Sequence, residues 1–200
     1  MTKHFNLPTS NYEILCRIIG ACAQFQDRLI FSKISGICQF DPVIILGNIG
    51  FLVSVGIVQG GMSKSLTQNG RSLASAININ DLENIKECWN RIFSECARTK
   101  SITTHLAINQ RIPKNFVIPR ISLALGINPN PQNSARMYQL MDIFEKIGIL
   151  QNDDDEYVFL NFEPQIVRFQ IEESSQKQEV DWKSLNMGGS GRADFFDISP

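Results

Sequence analysis

Asp41-Pro42-Val43-Ile44-Ile45-Leu46-Gly47-Asn48-Ile49-Gly50-Phe51-Leu52-Val53-Ser54-Val55-Gly56-Ile57-Val58-Gln59-Gly60-Gly61-Met62-Ser63-Lys64-Ser65-Leu66-Thr67-Gln68-Asn69-Gly70-Arg71-Ser72-Leu73-Ala74 is the stretch whose reading decides the fold. Asp41 is a good helix cap and Pro42 suits the first helical position. The helix they open runs to about Val55 and stops at Gly56, a residue type that takes the left-handed turn after a helix. Ile57-Val58, the Gln59-Gly60-Gly61 turn and residues 62–66 read as a small β-hairpin. Thr67 then caps a helix to about Ala76.

Working outward, residues 10–27 carry Ile14, Leu15, Ile18, Ile19, Cys22 and Phe25 at helical spacing, with Ser10 or Asn11 as cap. A short helix follows at about 28–36 and breaks at Gly36. A second unit starts at Asp81. Leu82, Ile85, Trp89, Ile92, Phe93 and Cys96 share one face of a helix over 82–98, and another helix is expected at 101–109. Pro113 and Pro119 are expected to bracket a break, after which 121–125 reads helical up to Gly126. Asn128-Pro129-Asn130-Pro131 is a turn, and Asn133 or Ser134 caps a helix to about Lys146. Residues 151–162 read as a hairpin with Asp153-Asp154-Asp155-Glu156 at its tip. The string Gly-Ile-(Val/Leu)-Gln occurs at 56–59 and again at 148–151.

Helix, helix, turn, helix, hairpin, helix is the order of a winged helix. Residues 65–74, Ser-Leu-Thr-Gln-Asn-Gly-Arg-Ser-Leu-Ala, resemble the "S-L-T-x-x-G-R-x-L-A" segment that follows the wing in many bacterial winged-helix regulators. Residues 52–58 resemble the end of their recognition helix and the start of the wing. The resemblance spans about 45 residues from Ile30 to Ala74 and bears on fold more than on function. It implies an α+β, mostly α chain: two tandem winged-helix units with small hairpin wings, over 1–80 and 81–171.

Residues 172–200 change character. Glu172 to Glu179 offer no core, and Gly188-Gly189-Ser190-Gly191 reads as a flexible linker, so a disordered acidic tail is expected. Residues 1–150 hold 15 Lys/Arg against 9 Asp/Glu, whereas residues 151–200 hold 4 against 11. Such a tail docks on a partner, masks a basic face of its own chain, or is simply solvated. The apolar and charged shares, 43% and 20%, are those of a globular chain and exclude full-length disorder and fibrous folds. The longest apolar stretch, 43–58, is too short and too interrupted for a membrane span. No secretory signal is visible at the start, and Cys16, Cys22, Cys38, Cys88 and Cys96 show no paired spacing. The reading is a cytoplasmic protein with reduced, packed thiols.

Phosphate and base contacts need Arg, Lys, Asn, Gln, Ser or Thr on the open face of a recognition helix. The helix over 42–55 has none of the cations. Setting Leu52 and Gly56 inward places Val43, Ile44, Leu46, Gly47, Gly50 and Phe51 outward. Of these, Val43, Ile44, Gly47, Gly50 and Phe51 are the expected contact surface for a second copy or a partner. In the second unit the same register places Ala135, Arg136, Tyr138, Gln139, Asp142 and Ile143 outward. Arg136, Gln139 and Tyr138 are the expected DNA contacts, helped by Arg120 and Lys114 and, from the first unit, Lys64 and Arg71. Arg71 serves local packing equally well. Four consecutive acids at the second hairpin tip oppose DNA where a wing would touch it.

No metal-ligand spacing, phosphate loop or nucleophile motif occurs, and His105 stands alone, so no catalysis, cofactor or metal is expected. Two functions remain. The first is a DNA-associated transcription regulator whose first unit makes the dimer or partner contact and whose second unit meets double-stranded DNA. The second is a scaffold or adaptor subunit that docks through the apolar helix without touching DNA. Tandem winged helices of this length also serve as docking surfaces in chromosome-organising and endosomal sorting complexes.

Overall fold

In the computed structural model, which describes residues 5–160, the chain starts with a segment outside any helix or strand, residues 5–10. Helix α1 (Tyr12–Cys22) follows, capped by Asn11, whose side chain accepts from the Ile14 amide at 3.1 Å. It ends at Cys22 rather than near 27, because residues 23–25 tighten into turns bonded three residues back. Helix α2 (Phe31–Cys38) stops at Gln39, which takes the left-handed conformation at φ 59°. Helix α3 (Pro42–Ser54) begins as its sequence demands, with Asp41 accepting from the Val43 amide at 2.7 Å. The axes of α2 and α3 are bent by 110°.

Strands β1 (Val58–Gln59) and β2 (Ser65–Leu66) pair antiparallel, Val58 opposite Leu66. Helix α4 (Gln68–Asn78) is tied to this hairpin by Thr67, which caps the Gly70 amide at 3.0 Å and donates to the Gly56 carbonyl at 2.6 Å. Gly70 packs so closely there that a Cβ would stand 2.2 Å from the Ile57 carbonyl oxygen.

Helix α5 (Leu82–Glu95) is capped by Asp81, and α6 (Ala97–Ala107) follows after one residue. The expected boundary at 80/81 falls in this turn, across which α4 and α5 pack together. Strand β3 (Arg111–Pro113) leads straight into α7 (Lys114–Leu125). Here the expected break at Pro119 is overturned, since that proline lies inside α7. Pro119 and Asn115 both lie on the exposed side, so the carbonyl that the missing proline N–H leaves free is not sealed in the core. Helix α8 (Pro131–Lys146) begins earlier than expected: Asn130, not Asn133 or Ser134, is the cap, and Pro131 opens the first turn. Strands β4 (Leu150–Asp153) and β5 (Glu156–Phe159) form a hairpin, and β3 adds to its β5 edge in an antiparallel sheet ordered β3-β5-β4. The described chain is thus mostly helical with small antiparallel strand sets, an α+β fold dominated by α.

An aromatic chain joins the two halves: Tyr12 of α1 meets Trp89 of α5 at 6.5 Å, Trp89 meets Phe93 at 5.1 Å, and Phe93 meets Phe144 of α8 edge-on at 5.3 Å. Asp142 accepts from the Tyr12 amide at 2.8 Å, placing a carboxylate of α8 at the positive end of α1. Among the described residues no single helix is long and apolar enough to cross a membrane. The tail expected over 172–200 lies outside the described residues.

Candidate functional site

Helix α3 carries no charged side chain, and its surfaces divide by what covers them. Ile45, Ile49 and Leu52 enter the core. Phe51 does too, at 0% exposed and 6.3 Å edge-on from Phe5, which overturns its expected place on the outer face. The outward phase was right at 43–47 but drifted one turn later, where residues 5–10 close over the helix.

Gly47 and Gly50 make that closure possible. A Cβ on Gly47 would sit 3.0 Å from Thr9 Oγ1, and one on Gly50 3.2 Å from Asn6 Cγ. Fully buried Asn48 keys the segment in place. Its Oδ1 accepts from the Thr9 amide at 3.0 Å, while its Nδ2 donates to Ser10 Oγ at 2.8 Å and to the Ile44 carbonyl at 2.9 Å. Ser54 Oγ accepts from the Asn6 amide at 3.0 Å. The glycine notch expected to receive another protein is filled by this chain's own N-terminal segment.

What remains open is a row on the first half of the helix: Val43 (74% exposed), Leu46 (52%) and Ile44 (38%). Ile30 and Ile37, at either end of α2, are also exposed. Between Asp41 and Lys64 the sequence contains no charge. The two cations expected to touch phosphate nearby are spent on the chain itself. Lys64 folds its ammonium back onto the Gly60 and Gly61 carbonyls, and Arg71 donates to the Gln26 carbonyl at 3.1 Å.

On α8, Arg136 and Gln139 are half-buried and Tyr138 is half-exposed. Ile143, expected outward, is fully buried. Asp142 is occupied with α1, as described. The supporting cations are again engaged: Lys114 reaches the Asp154 carbonyl and lies over the Tyr157 ring, and Arg120 faces the Asn109 amide; neighbouring Arg111 bridges Asp153 at 2.9 Å and Glu156 at 3.5 Å. The acidic tip therefore gathers its neighbours' positive charge instead of leaving it for a ligand.

Sequence reading missed an apolar stripe on α7, where Phe116, Pro119 and Leu123 are exposed one turn apart. Their i, i+3, i+7 spacing was the available signal, hidden by treating Pro119 as a break. An open groove of about 270 Å³ runs along α1, lined by Cys16, Arg17, Gln24, Ile37 and Asn78 among others. Its one cation is committed: Arg17 donates to the Cys38 carbonyl at 2.8 Å and stacks 4.4 Å over Phe40. Burial pushes the Cys16 thiol up to about 11 and the Cys22 thiol up to about 12, so both are poor nucleophiles at neutral pH. The described residues hold no group of three or more His, Cys, Asp or Glu placed to bind a metal. No family model, curated protein or solved structure matches the chain.

Proposed function

We propose that residues 5–160 form two winged helices in tandem and that the chain is a non-catalytic docking protein, pairing with a second copy through α3. The winged-helix reading is supported by the sheet order β3-β5-β4 with α6, α7 and α8 interleaved in chain order. It is supported again by a repeated helix end. Ile57 donates to the Leu52 carbonyl and Gly56 to Val53; 92 positions later Ile149 donates to Phe144 and Gly148 to Glu145, with both glycines at φ near +80°.

The observation that carries the docking reading is the open, uncharged row Val43, Ile44 and Leu46 at the position of a recognition helix. A surface without charge cannot neutralise phosphates. Two copies of it meet across a two-fold axis without like-charge repulsion. Light scattering across a dilution series tests this. The full chain should dimerise, and Leu46→Glu should weaken the dimer at least about tenfold while circular dichroism stays unchanged. A chain monomeric at every concentration ends the reading.

A second reading, DNA contact by the other unit, is favoured by Arg136, Tyr138 and Gln139, polar side chains of α8 that all keep some exposure. A salt titration on random-sequence duplex separates the two. Binding that weakens steeply with salt and is lost in Arg136→Glu would establish it; no binding at low salt would remove it.

A further inference from the structure

We draw no further inference here: the strongest candidate, the exposed stripe Phe116, Pro119 and Leu123 on α7, is an unpartnered apolar face, and nothing in the structure shows what covers it.

Discussion

The last turns of α3 and α8 make the same hydrogen bonds to the same kind of glycine, yet the two helices offer opposite chemistry to solvent. On α3 the open side chains are Val43, Ile44 and Leu46, while Gly47 and Gly50 lie against Thr9 and Asn6 of the N-terminal segment. On α8 the polar Arg136, Tyr138 and Gln139 keep some exposure, and Asp142 holds the helix against α1. The helix end is a framework property, because Leu52, Ile57, Phe144 and Ile149 all point inward and tolerate little change. The exposed side chains have no such duty, so their composition reports use. Two similar helix ends thus go with one apolar and one polar set of exposed side chains.

The largest effect should come from placing a charge on either side of the α3 divide. Phe51→Asp puts an unpaired carboxylate in the core and should lower stability by at least about 4 kcal/mol, read by urea denaturation. Leu46→Glu, five positions earlier on the same helix, should change stability by no more than about 0.5 kcal/mol. Equal losses would mean that the row at 43–46 is packed, and the contrast between α3 and α8 would collapse.

Much of this contrast was legible before any coordinates. Asp41-Pro42, Gly56, Thr67 and the repeated Gly-Ile pair mark helix starts and stops through local chemistry, and local chemistry is what a sequence displays. The absence of charge from 42 to 63 was equally plain. Three features were hidden because they depend on distant residues. Phe51 reads as outward until Phe5 arrives 46 positions away in sequence. Pro119 reads as a break until its side of α7 proves to face water. Lys64 and Lys114 read as free cations, and Arg71 as either free or locally packed, until the carbonyls they hold come into reach. A residue list shows which cations exist, not which are already spent.

A smaller effect sharpens the account of what covers α3. Asn48 is fully buried and spans three partners, the Thr9 amide, Ser10 Oγ and the Ile44 carbonyl. Asn48→Ala should cost about 1–3 kcal/mol, since groups tied to it lose their partner away from water. Amide exchange at Thr9 should quicken with it, while amides in α8 keep their protection relative to the global unfolding rate. Unchanged exchange at Thr9 would show that Phe5 and Leu7 alone hold the segment.

The smallest effect separates the interiors of the two halves. Cys22, in the first half, is pushed up to about 12 by burial, with neighbouring Cys38 adding to the rise, whereas in the unfolded chain it titrates near 9.0. Below pH 9 the thiol is protonated in both states and adds no pH dependence. Between 9 and 12 the unfolded chain releases the proton and the folded chain keeps it, so stability falls as pH rises, by on the order of 1 kcal/mol per pH unit. Melting temperatures of the full chain should therefore drop from pH 9 to 11, and Cys22→Ala should flatten that drop without abolishing it. Cys16, raised chiefly by burial to about 11, adds to the fall between pH 9 and 11, and Tyr12, also raised chiefly by burial, continues it at higher pH. Asp142 of α8 rests on the backbone of the same Tyr12, so this alkaline opening should loosen the junction of the halves before either helix end is lost. A slope unaltered by Cys22→Ala would place the alkaline weakness in groups other than Cys22, with Cys16 and Tyr12 of the same helix the next to replace.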